Sequence, residues 1–227
     1  MSTLRTVLRD ARLVAGRDLR IEARSRVVVD QVLPFAVLVL VLFGFALDAD
    51  HSTLRTFAPG LFWVTVLLSA LLAIQRSASL DSADGTGTSL RMSGLSPVAR
   101  YLGRTTAVFV QLLVLEALLV GGLVVLYGVS VEEWFLLVVA GVAAGVAVAA
   151  AGTLYGALAS GLRARETLLP ILVLPVLAPV LIGATRAFDD ALGVAAVDGW
   201  AWTGLLAVAA LVLTVVGASA HGALVED

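Results

Sequence analysis

Apolar residues along this chain gather into six long blocks separated by short polar intervals, at 27–47, 57–74, 105–127, 134–160, 168–185 and 201–221. Each block is close to the ~20 residues that an α-helix needs to cross ~30 Å of hydrocarbon. Inside a bilayer the backbone must satisfy its own hydrogen bonds, which favours helices. The pattern predicts an all-α polytopic membrane protein with six transmembrane helices. Ahead of the first block the pattern changes. Over 3–24, Leu4, Val7, Leu8, Ala11, Val14, Ala15, Leu19 and Ile21 share an arc of about 160° at helical spacing. Arg5, Arg9, Arg12, Arg17, Arg20 and Arg24 fill the opposite arc. This is the pattern of an amphipathic helix lying in the membrane interface, its arginines toward lipid phosphates or a cytosolic partner. Two parts are therefore expected, an interfacial helix over 1–26 and a six-helix transmembrane domain over 27–227.

Polar and special residues that break the pattern are the candidates for function. Asp18 and Glu22 stand four apart on the apolar arc of the first helix, so they face a protein surface or pair with Arg rather than face lipid. Glu116 lies mid-block, with Gln111 five residues earlier. An ionisable group there costs ~3 kcal/mol on insertion scales and marks a pathway, a buried pair or a structural hydrogen bond. Ala58-Pro59-Gly60 is read as opening the second block, with Pro59 in the first turn and Gly60 permitting close helix approach. The pairs Gly141/Gly145 and Gly152/Gly156 have small-xxx-small spacing, which serves packing within the chain or a seam between two copies. Pro170, Pro175 and Pro179 interrupt the fifth block and predict a bent element, mobile or fixed.

The longest interval on the arginine-rich side, about 75–104, reads as a loop. A turn is expected over Asp81–Gly87, and a helical turn or two from Ser89 to Leu95 ending at Ser96-Pro97. A short ordered element there suits docking to a cytosolic subunit, and an ordinary hydrated loop is the alternative. Trp63, Trp134, Trp200 and Trp202 all fall near the opposite interface, as an aromatic belt would.

Composition sharpens this picture. The 227-residue chain is 60% hydrophobic with mean hydropathy +1.02, and six spans leave no room for a separate catalytic domain. If the helices alternate direction, thirteen of the fifteen basic residues fall on one side; Arg55 and Arg186 do not. Short loops rich in Arg stay in the cytoplasm, so both termini are expected inside the cytoplasmic membrane. About thirty residues precede the first block, and no small-residue cleavage site follows it, so no cleavable signal is expected. The chain has no cysteine, which removes disulfides, thiolate metal sites and thiol-attached haem. All fifteen basic residues are arginine, so the lysine of a phosphate-binding loop is missing and any ATP must bind another subunit. His51 and His221 are expected on opposite faces, no metal site is discernible, and no nucleophile–base constellation points to an enzyme. The basic helix is explained by the membrane without nucleic acid.

Four stretches resemble a known family. They are Arg17-Asp18-Leu19-Arg20-Ile21-Glu22-Ala23-Arg24-Ser25-Arg26; Ala58-Pro59-Gly60-Leu61-Phe62-Trp63-Val64 with Ser69-Ala70-Leu71-Leu72-Ala73 and Arg76; Gly161-Leu162-Arg163 leading into Leu172–Ile182; and Asp198-Gly199-Trp200. Together they resemble the permease subunit of the cytochrome c maturation ABC transporter, the haem exporter B (CcmB-like) proteins. Where that family usually has Leu-Glu ahead of the loop proline, Leu90 is here followed by Arg91. The resemblance implies an ABC-2-like permease that forms a homodimer and docks on a separate ABC ATPase. A haem-handling membrane partner and a haem carrier would complete the system. Haem is then a possible cargo, not a resident cofactor. The resemblance implies coupling roles for Asp18, Glu22, Arg76, Asp84, Leu90 and Pro97, and helix-geometry roles for Pro59, Gly60, Pro175 and Pro179. Glu116 would be an intramembrane polar site. The alternatives are an ABC-2-type permease for another cargo (lipid, drug or polysaccharide) and a non-transporting scaffold of a haem-handling complex.

Overall fold

The computed structural model describes residues 2–25, 28–46, 51–83, 95–159 and 165–226, and these are helical almost throughout. In chain order they form α1 (Ser2–Ser25), a π-helical turn (Val28–Val32), α2 (Leu33–Ala46), α3 (His51–Ala83), α4 (Pro97–Tyr127), α5 (Trp134–Ala159), α6 (Arg165–Ala191) and α7 (Gly199–Glu226). Five of these helices, α3 to α7, are long and apolar enough to cross a membrane. Among the described residues the first apolar block gives a shorter apolar helix, Asp30–Ala46, about 25 Å long at 1.5 Å per residue. Pro34 lacks the N–H that would bond the Asp30 carbonyl, and the chain before it takes the wider turn of a π-helix. The chain is a multi-pass, all-helical membrane protein.

Helix α5 is the centre of the assembly. It packs against α3, α4, α6 and α7 and is the most buried of the five long helices. Its composition explains this, because Val, Ala and Gly let neighbouring backbones come close. The two glycine pairs serve different neighbours. A Cβ on Gly141 or Gly145 would lie 3.1 Å from the Glu116 carboxylate of α4, and one on Gly156 would lie 3.4 Å from Ile74 of α3. A Cβ on Gly152 would collide with Ile74. Both pairs are thus used within the chain, which removes them as a seam between two copies.

The intervals differ from the sequence reading in three places. Helix α3 continues past its apolar window to Ala83, so 75–83 is helix rather than loop. Gln75–Ala83 contains no Gly or Pro to stop it. Helix α4 already starts at Pro97, so 97–104 is helix rather than loop. Ser96 Oγ accepts the Ala99 N–H at 3.2 Å, and Pro97 holds the first helical position. Pro59 lies in the third turn of α3, not the first, because the helix already begins at His51. The remaining loop positions 84–94, with Asp84 and Leu90, lie outside the described residues.

Candidate functional site

The arginine-rich end is built by α1 and α4. Ala11, Val14 and Ala15 of α1 are buried, and α1 packs along α4. Gly103 of α4 makes the approach possible. A Cβ there would sit 2.6 Å from the Ala11 carbonyl oxygen and from Val14 Cβ. The buried stripe runs Ala11–Val14–Ala15, and one and two turns further on its line stand Asp18 and Glu22. Both carboxylates therefore sit on the side of α1 that faces the protein body. Asp18 also pairs with Arg17 at 3.7 Å.

Two residues before Gly103, Tyr101 ties three helices together. Its hydroxyl lies 3.0 Å from the Ala150 carbonyl of α5 and 3.4 Å from the Leu213 carbonyl of α7. Gly217 of α7 leaves the space that this side chain fills. The His221 ring is tilted against Tyr101 with centroids 5.7 Å apart. Sequence reasoning passed over Tyr101. A lone tyrosine near the start of an apolar block was the available signal, since a buried hydroxyl needs a partner.

Midway along α4, Glu116 is 6% exposed and its Oε1 has no hydrogen-bond partner among the described residues. Its carboxylate rests on the Gly141/Gly145 shelf of α5, beside Phe109. The same shelf leads to an aromatic cluster. Phe188 of α6 lies 3.9 Å from where a Gly141 Cβ would be. It packs on Phe62 and Trp63 of α3, with ring centroids 4.9 and 5.1 Å away. Trp63 is 1% exposed and its indole N–H lacks an acceptor among the described residues. Trp63 is therefore a core residue, not part of an interfacial belt. Trp134 and Trp200, at the starts of α5 and α7, are exposed as a belt requires. So a buried acceptor and a buried donor stand on either side of Phe188, at the meeting of α3, α4, α5 and α6.

The opposite end is closed by local capping. Arg55 Nε donates to the Gly128 carbonyl at 2.9 Å, binding the start of α3 to the end of α4, where Gly128 is left-handed at φ 61. Tyr127 donates to the Leu40 carbonyl at 2.7 Å and holds α2 on α4. Asp190 Oδ2 accepts the Gly199 N–H at 2.9 Å, and Asp198 Oδ1 accepts the Ala201 N–H at 3.0 Å. Both satisfy free donors at the start of α7. Asp189 pairs with Arg186 at 3.2 Å. These acidic residues thus have local structural work where α6 ends and α7 begins.

Of the other expected residues, Pro97 and Glu116 lie on one helix, α4, and Arg76 lies on α3 beyond its apolar window. Pro175 and Pro179 are interior to α6 and exposed, on one face one turn apart. Gly60 meets nothing: a Cβ there would find open space within 4 Å, so it mediates no close helix approach. Among the described residues no group of His, Cys, Asp and Glu could hold a metal ion.

This architecture defines a class: a bundle of long apolar helices with an amphipathic N-terminal helix strapped to its side and one buried carboxylate at its middle. The family described as CcmB protein matches residues 10–226, and the chain belongs to that family. It is 31% identical over 185 residues to the heme exporter protein B of Haemophilus influenzae, covering 78% of this chain and 80% of that protein. The heme exporter protein B of Paracoccus denitrificans is 33% identical over 175 residues, 75% of this chain and 78% of its own. That of Pseudomonas aeruginosa is 30% identical over 215 residues, 89% and 91%.

Proposed function

We propose that this chain is the membrane permease subunit of an ABC transporter acting in haem delivery for c-type cytochrome assembly. The observation that carries the reading is membership of the CcmB family over nearly the whole chain, with relatives named heme exporter protein B. The absence of lysine from the sequence supports the division of labour, because a phosphate-binding loop needs one. ATP is bound and hydrolysed by a separate subunit, and the chain itself is not an enzyme. Six crossings, with α2 as the short first one, place both termini in the cytoplasm beside most of the arginines. The permease works as a homodimer of ABC-2-like subunits, together with a haem-handling membrane partner and an external haem carrier.

Within this proposal the strap of α1 on α4 carries movement from the ATPase. Asp18 and Glu22 face the protein body from α1, Pro97 begins α4, and Arg76, Asp84 and Leu90 belong to the connection between α3 and α4. Pro59, Pro175 and Pro179 shape the helices through the carbonyl groups they free. Gly60 keeps its place beside Pro59 as a residue of low helix propensity rather than as a contact. Glu116 is the intramembrane polar site, since a buried carboxylate in a span is costly and is retained for use.

The test is co-isolation. The tagged chain, expressed with the ATPase encoded beside it, should retain that ATPase through purification and stimulate its ATP turnover. Pairs such as Asp18→Asn with Glu22→Gln should reduce the stimulation while leaving the complex intact. A chain that assembles with its partners but needs no ATP turnover for cytochrome assembly would make it a scaffold.

A further inference from the structure

Among the described residues two acids are more than nine-tenths buried, Asp189 at 7% exposure and Glu116 at 6%. Asp189 has a counter-charge, Arg186 at 3.2 Å. Glu116 enters no ion pair among the described residues. Its surroundings are uncharged on every side. Gly141 and Gly145 of α5 lie beneath it, with 3.1 Å between its carboxyl oxygens and the positions of their Cβ atoms. Phe109, earlier on α4, borders the same shelf at Gly145, and Phe188 of α6 borders it at Gly141. Beyond Phe188 stands Trp63 of α3, whose indole N–H has no acceptor among the described residues. None of these neighbours titrates or carries a charge.

We propose that Glu116 is a reversible proton-binding site: a neutral acid while α4 lies closed on the glycine shelf of α5, and a carboxylate once the two helices part. A dry interior does not hold an ionised carboxylate without a counter-charge, and the group takes up a proton instead. The acid form then needs one acceptor. Gly141 and Gly145 leave the peptide groups of α5 bare, and a helix carbonyl keeps a second lone pair for an O–H donor. The ionised form needs donors, and the unused indole N–H of Trp63 stands across Phe188. The junction thus holds a partner for each form. In the step between them one bond breaks, the carboxyl O–H, and its proton goes to water admitted as the helices separate. Packing alone asks for no ionisable group, since an amide of the same shape fills the shelf equally well. The inference rests on the reading of Glu116 as the intramembrane polar site and is independent of the cargo.

The experiment uses the full-length chain in lipid nanodiscs at neutral pH, first alone and then in complex with its ATPase. The infrared spectrum of the wild type minus that of Glu116→Gln should show the C=O stretch of a carboxylic acid. All other acids are common to both chains and cancel, and exposed ones are ionised above about pH 4 in any case. Circular dichroism should show the same helix in both. Dicyclohexylcarbodiimide, an apolar reagent that adds to protonated carboxyl groups, should label Glu116 in the wild type. Peptide mass spectrometry locates that label without recourse to any variant. Absence of both the acid band and the label overturns the proposal. In heavy water the band should shift slowly in the resting complex and faster during ATP turnover, because the proton meets water only when the seam opens. An exchange rate that turnover leaves unchanged also overturns the proposal and makes Glu116 a fixed neutral packing group. A complex that hydrolyses no ATP would count against the permease reading instead, with the band and the label still deciding whether the proton is bound.

Discussion

The Glu116 carboxylate occupies the space that a side chain at Gly145 would need, with 3.1 Å between its Oε1 and the position of a Gly145 Cβ. A glycine on α5 and an acid on α4 thus form one feature. The glycine removes bulk so that the acid can lie flat against the helix, and the acid fills what would otherwise be a void between two backbones. Replacing Gly145 by Leu should force the two helices apart and destabilise the fold by about 1–3 kcal/mol. Gly60→Ala is the matched control, since a Cβ there meets nothing, and it should be neutral or stabilising because alanine favours helix by up to about 1 kcal/mol. Thermal unfolding in detergent, followed by circular dichroism, compares the two.

Glu116→Gln keeps the shape of the side chain and removes its ability to carry charge. The account expects a normally folded protein that assembles with its partners and supports markedly less c-type cytochrome. Haem staining of complemented membranes measures this. Wild-type cytochrome levels in this variant would reduce Glu116 to a packing group.

Tyr101→Phe removes the hydroxyl that bridges α4 to α5 and α7. Interhelical hydrogen bonds in membranes are worth about 0.6 kcal/mol on average and at most about 1.7. A loss in that range is expected in a folding titration. Tyr127→Phe, which releases α2 from α4, should cost a similar amount and should loosen α2 alone. Limited proteolysis in the 47–50 connection is the readout.

The native chain has no cysteine, so single introduced thiols report sidedness cleanly. Ser52→Cys, Glu133→Cys and Asp198→Cys should all react with an impermeant maleimide added to intact cells. Arg9→Cys should react only after the membrane is opened. If Ser52 and Arg9 were labelled from the same side, the short helix α2 would not cross the bilayer.

The long spans and the amphipathic first helix were legible because their signal is hydrophobicity summed over many residues. Small shifts at their ends did not hide it. What failed was local. Pro97–Arg104 reads as loop because Pro97, Gly103 and two arginines interrupt the apolar run, yet Ser96 caps a helix that starts there. Gln75–Ala83 is polar enough to read as loop, yet contains nothing that ends a helix. Trp63 was assigned to the interface by its position in the block, whereas its ring is packed between Phe62 and Phe188. Glu116 was legible as an anomaly, but not its support, because the glycines beneath it lie on a different helix and sequence spacing carries no information on which helix faces which. The capping of α7 by Asp198 and by Asp190, nine residues from Gly199, was no part of the sequence reading and shows only in the hydrogen bonds.

The central claim is that this permease serves haem delivery. Deleting its gene, with restoration from a plasmid, and staining the membranes for covalently bound haem tests that claim most directly. The account predicts loss of all c-type cytochromes with b-type cytochromes retained, and recovery on restoration. Unchanged c-type cytochromes, in a strain with no second copy of the gene, would contradict it and leave a permease for a different cargo.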